Sequence, residues 1–212
     1  MNARTLAFSL SLASSLFFLA DRAPADANCR TADEAEAAAP AVFANNHQLS
    51  AIPLPSTDGG TRTLADILGK NDYLVVTFFS STCPCQTAHD GRLKDLYTQW
   101  HERGVAFVAV DSEADSSLST DITEAKRRGY PFPILSDPEG KLADALGARF
   151  ATYTVILDKK GNIRYRGGID SDRTRLTDKA RHYVRTALAQ LLAGQDPNPA
   201  ETKALGCLLT KR

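Results

Sequence analysis

The stretch Tyr73-Leu74-Val75-Val76-Thr77-Phe78-Phe79-Ser80-Ser81-Thr82-Cys83-Pro84-Cys85 decides the reading of this chain. Its first seven residues are continuous, β-branched and aromatic. A strand covered on both faces reads this way, so a central strand is expected. Pro84 suits the first position of a helix, where its missing N–H costs nothing. Cys83 is then expected at the N-cap of that helix, beneath unpaired backbone N–H groups. Those donors and the helix dipole stabilise a thiolate, the reactive form of cysteine. The carboxyl end of a strand is also where open α/β sheets bind their ligands.

Working outward, Leu93, Leu96, Tyr97 and Trp100 repeat at helical spacing, and Gly104 ends that helix. The pair Tyr97 and Trp100 therefore reads as core, not as a cofactor site. Val105–Val110 is a second buried strand, residues 119–129 a helix stopped by Gly129, and Ile134-Leu135 a strand entry after Pro131 and Pro133. Pro138 is expected to open a short helix with Leu142 and Leu146. Tyr153–Leu157 and Ile163–Arg166, joined by Asp158-Lys159-Lys160-Gly161-Asn162, read as a hairpin. Residues 174–193 read as a final amphipathic helix with Leu176, Tyr183, Ala187, Leu188 and Leu191. Upstream, Thr63–Leu68 is a short helix ending near Gly69. Alternating strands and helices followed by a hairpin predict an α/β fold with a central mixed sheet flanked by helices.

The N-terminus has its own pattern. Arg4, an apolar run over residues 5–20 and Ala25-Asp26-Ala27 form the layout of a secretory signal peptide. The run is short for a membrane span, which needs about 20 apolar residues. Export to the periplasm or outside is expected, with no stable membrane span after cleavage. The domains expected are a signal peptide (1–27), a flexible lead-in (28–51), the α/β domain (52–194) and a mobile tail (195–212) carrying Cys207. The 25 basic and 25 acidic residues balance, without a long basic run, which argues against a nucleic-acid partner.

All four cysteines, Cys29, Cys83, Cys85 and Cys207, follow the expected cleavage point. Four cysteines allow three full pairings, and sequence does not choose among them. A Cys83–Cys85 bond requires Cys83 to stay non-helical and would be easily reduced. Cys85 or Cys207 could resolve Cys83, and Cys29–Cys207 could staple the chain ends. Cys83, Cys85 and His89 are close enough in sequence to raise a copper- or zinc-binding module as an alternative, although His89 reads as an exposed helix residue. The other histidines, His47, His101 and His182, read as surface or structural. Asp111–Asp115 reads as a solvated loop.

The segments Phe78–Pro84, Gly104–Asp111, Phe132–Asp137, Leu142–Ala148, Ile156–Asp158, Tyr165–Asp170 and Thr202–Cys207 together resemble the redoxin proteins. These form the alkyl hydroperoxide reductase and thiol-specific antioxidant branch of the thioredoxin-like superfamily. The resemblance spans about residues 52–209 and implies a thioredoxin-like fold with Cys83 as the redox-active cysteine. The site expected is Cys83 with Cys85 or Cys207 for catalysis, supported by Ser80, Thr82, Pro84 and Thr152, with no cofactor or metal. Ser80 occupies the hydroxyl position of the peroxidase pattern; Val76 stands where that pattern has proline. Thr152 stands at the position of the thioredoxin cis-proline, and Arg149 is the nearest arginine to it. The function expected is an exported thiol–disulfide oxidoreductase acting on protein thiols or disulfides, with a thiol reductant of unknown identity. A peroxidase acting on small peroxides is the alternative on the same fold.

Overall fold

A computed structural model describes residues 30–31 and 52–211. The expected signal peptide, most of the lead-in, Cys29 and His47 lie outside the described residues. Strands β1 (Arg30–Thr31), β2 (Leu54–Pro55) and β3 (Thr61–Arg62) precede helix α1 (Leu64–Leu68). Then come β4 (Tyr73–Phe79), α2 (Pro84–Trp100) and a 3-10 turn, His101–Arg103. The chain continues through β5 (Val105–Asp111), α3 (Leu118–Arg128), β6 (Ile134–Ser136) and α4 (Lys141–Leu146). It closes with β7 (Thr154–Asp158), β8 (Ile163–Gly167), α5 (Tyr183–Leu192) and β9 (Leu205–Gly206).

The main sheet has the order β6-β5-β4-β7-β8. β4 runs parallel to β5 and β5 to β6, while β7 is antiparallel to both β4 and β8. β4 is therefore the middle strand, as its apolar run requires. Leu74, Val76 and Phe78 enter one core with Cys83, Cys85, Leu142 and Leu146. Val75 and Phe79 enter the other with Leu93, Leu96, Trp100 and Leu188. The two-residue period of a strand sends alternate side chains to opposite faces, and both faces are covered.

Three expectations change. The helix expected at Pro138 begins at Lys141, because Gly140 is left-handed (φ 67°) and the Asp137 carboxylate accepts from Leu142 and Ala143 N–H. The last helix is Tyr183–Leu192, not 174–193. Thr177 N–H donates to Asp172 and Thr177 C=O accepts from Arg92, so this backbone is held by tertiary partners instead of a helical ladder. The tail expected to be mobile is packed: Ala204 and Leu209 are buried, and β9 pairs with β1.

Candidate active site

Cys83 is the N-cap of α2, with extended backbone (φ −78°, ψ 117°), and Pro84 is the first helical residue. β4 delivers it to the carboxyl end of the sheet, and Thr87 N–H donates to its carbonyl. The residue is 1% exposed. Ser80 is buried too, and its hydroxyl lies 3.3 Å from that of Thr82.

The tail brings Cys207 to this point. Its backbone N–H lies 3.4 Å from Cys83 Sγ, across 124 residues of sequence. Both thiols are free, and Cys207 is half-buried. The Cys207 thiol donates to Cys83 sulfur, and this bond is the largest cause pulling Cys83 down to about 6. Burial opposes it, while N–H groups of Gln86, Cys207 and Cys85 assist. The same bond, then burial, pushes the Cys207 thiol up. Cys83 therefore holds the thiolate and Cys207 the proton.

Cys85 is fully buried and held in a disulfide. With Cys83 and Cys207 both free, neither the Cys83–Cys85 bond nor the Cys29–Cys207 staple is present. Cys85, the second residue of α2, shares a core with Cys83, but its sulfur is already committed to the disulfide. The copper-site alternative loses its donors as well. Cys85 sulfur is engaged, and His89 is 2% exposed, not on the surface as its helical position suggested. Its Nδ1 lies 2.7 Å from Cys85 C=O and its Nε2 3.1 Å from Asp170 Oδ1. Asp170 is itself held by Arg92 at 2.5 Å. Among the described residues no cluster of three His, Cys, Asp or Glu could hold a metal ion.

Thr152 links the tail to the sheet. Its N–H donates to Phe78 C=O at 2.7 Å and its hydroxyl to Leu205 C=O at 2.8 Å. These bonds sustain a left-handed backbone (φ 70°), which costs a residue other than glycine on the order of 1–3 kcal/mol. Ala151 N–H donates to Cys207 C=O, Leu209 N–H donates to Arg149 C=O, and Phe150 bridges Leu208. The tail is thus an added strand against residues 149–151. A Cβ at Gly206 would lie 1.8 Å from Ala151 O, so glycine is required for this approach.

Two groups had no motif to announce them. Arg128, at the end of α3, has a buried side chain and donates to Ser81 C=O, Asp90, Thr87 and Glu124 at 2.8–3.2 Å. Its guanidinium lies 5.0 Å from the Phe79 ring centroid. It holds the loop leading into Cys83. Asp111, read from sequence as part of a solvated loop, is buried. Burial, then the neighbouring Asp121 and Glu113 carboxylates, pushes it up to about 8 against a hydrogen bond from Glu113 N–H.

A mixed sheet whose central strand ends in a cysteine at a helix N-terminus defines a thioredoxin-like cysteine protein. The AhpC/TSA family pattern matches residues 46–166, and this chain belongs to that family. The chain is 26% identical over 110 residues to the thiol-disulfide oxidoreductase ResA of Halalkalibacterium halodurans, covering 52% of this chain and 60% of that protein. It spans about 60% of the length of the curated relatives it matches. Among solved structures, a hypothetical protein of Sinorhizobium meliloti 1021 superposes with TM-score 0.70 at 25% identity, covering 80% of this chain and 92% of the other. An uncharacterized conserved protein of Geobacillus kaustophilus gives TM-score 0.69 at 27% identity, covering 77% and 90%.

Proposed function

We propose that this chain is an exported thiol–disulfide oxidoreductase whose Cys83 and Cys207 cycle between dithiol and disulfide. The observation that carries the reading is the approach of two free cysteines far apart in sequence: Cys207 backbone nitrogen lies 3.4 Å from Cys83 Sγ, and the Cys207 thiol donates to that sulfur. Sulfurs placed this way need little rearrangement to form a bond. One is poised as thiolate, the state that attacks or leaves in exchange. Similarity to a ResA thiol-disulfide oxidoreductase supports the reading. The basic residue, apolar run and small-residue site at the N-terminus support export, and no helix among the described residues is long and apolar enough to cross a membrane.

Pro84 starts the helix beneath Cys83, Thr152 anchors the strand bearing Cys207, and Ser80 and Thr82 line the approach. The test is oxidation of the reduced protein with oxidised glutathione, followed by disulfide mapping and turnover of a small disulfide under dithiothreitol. A reversible Cys83–Cys207 bond, with turnover lost in Cys83→Ser, is expected. Retained turnover in that variant rejects the reading. Hydrogen peroxide consumption far faster than that of free cysteine would instead favour the peroxidase.

A further inference from the structure

We infer that Cys207, not Cys83, is the sulfur that meets the substrate, and that the substrate is a thiol, preferentially one carrying positive charge. This rests on the Cys83–Cys207 pair proposed above and assigns its entry side. Cys83 is 1% exposed and packed in the core, whereas Cys207 is half-buried. Beside it lies a cavity of about 280 Å³ lined by Ser80, Thr82, Glu113, Asp115, Cys207 and Leu208, among others. Cys83 does not line it. The tail strand that carries Cys207 closes over Cys83, held by main-chain bonds to residues 149–151. An incoming sulfur therefore reaches Cys207 first.

The step balances as thiol–disulfide exchange. A substrate thiolate attacks Cys207 sulfur of the oxidised pair, a substrate–Cys207 bond forms, and the Cys83–Cys207 bond breaks. Cys83 leaves as thiolate with the electron pair. The substrate sulfur is oxidised, Cys83 is reduced, and no further reactant enters. Cys83 is suited to this role because a thiol of lowered pKa is the better leaving group. The N–H groups that receive its charge are already in place. Microscopic reversibility makes the same mixed disulfide the intermediate when a substrate disulfide is reduced by the dithiol pair. Glu113 and Asp115 on the cavity wall favour a cationic thiol over an anionic one. The charge of Glu113 already acts on Cys207.

The oxidised wild-type protein is mixed with excess cysteamine, quenched in acid within seconds and mapped by mass spectrometry without reduction. Cysteamine on the tail peptide containing Cys207 is expected; cysteamine on Cys83 overturns the inference. A second measurement does not need the adduct to accumulate. The rate of reduction by cysteamine is compared with that by 3-mercaptopropionate, each normalised to its rate with the uncharged bis(2-hydroxyethyl) disulfide. Cysteamine should be faster by about three- to tenfold at low salt, converging as salt screens the carboxylates. Equal or inverted normalised rates overturn the cavity as the entry. If the oxidised protein contains no Cys83–Cys207 bond at all, the proposed redox pair itself is wrong, a result distinct from either.

Discussion

Replacing Cys207 by Ala removes the S–H donor on Cys83 and leaves the backbone donors. In the native protein Cys83 is brought from 9.0 to about 6, a gap of about 4 kcal/mol between its two protonation states. The Cys207 thiol is the largest contributor to that lowering. A hydrogen bond to a charged group is worth about 1.5–3 kcal/mol, equivalent to about one to two pH units of Cys83 titration. At pH 7 the thiolate fraction should fall from roughly nine tenths to between roughly one half and one tenth. Cys207→Ser supplies an O–H in nearly the same place and should keep most of the lowering. Ultraviolet absorbance of the thiolate against pH reads this directly, and Cys85 does not contribute because its sulfur is in a disulfide. A midpoint near the native value in Cys207→Ala would show that the helix N-terminus alone activates Cys83, and the paired-thiol argument would fail.

Three other perturbations test the surroundings. Asp111 is raised from 3.8 to about 8, so the folded state binds a proton that the unfolded state has lost across that window. Stability from this group is therefore complete below about pH 4 and declines as pH rises to about 8; Asp111→Asn should make the decline shallower, by on the order of a few kcal/mol, in urea midpoints at the two ends, with Asp121 and Asp137, also raised by burial, supplying the remainder. Parallel pH profiles for variant and native protein would refute this. Arg128→Met removes the buried guanidinium from Ser81 C=O, Asp90 and Glu124, while Glu124 keeps Arg127 and Asp90 keeps Tyr130; it should cost about 1.5–3 kcal/mol in chemical denaturation, with little rescue by Lys, which lacks the planar fork. A loss below about 1 kcal/mol would count against a buried clamp. Gly206→Ala cannot keep its approach to Ala151 and should lift the tail, raising the alkylation rate of Cys83 several-fold, on the order expected from opening a packed segment. An unchanged rate would mean that the tail does not cover Cys83.

Much of the fold was legible along the chain. The run Tyr73–Phe79 could only be satisfied by burial on both faces, and it became the middle strand. Gly104 and Gly129 end their elements in left-handed conformation where the apolar pattern stops. Cys83 at a strand-to-helix turn before Pro84 was likewise local, because N-cap geometry depends on a few adjacent residues. Where tertiary bonds competed with local pattern, the pattern lost. Residues 174–182 have helical periodicity, yet Asp172 and Arg92 take up the backbone of Thr177.

By itself, then, the sequence determined the central strand, the alternation of strands and crossover helices, the closing hairpin and the placement of Cys83 at a helix N-terminus. Hydrophobic period and capping chemistry act over a few residues, so they can be read from one segment at a time. Only the tertiary structure decided which partner each polar or sulfur atom received. It brought Cys207 to Cys83, engaged Cys85 in a separate disulfide, turned His89 inward to Asp170 and ran Arg128 back to Ser81. The two nearest cysteines in sequence are not bonded to each other, while two free cysteines 124 positions apart are brought together by the path of the tail. Side-chain pairing follows the geometry of the assembled fold, and spacing along the chain carries no record of it once the partners belong to different elements.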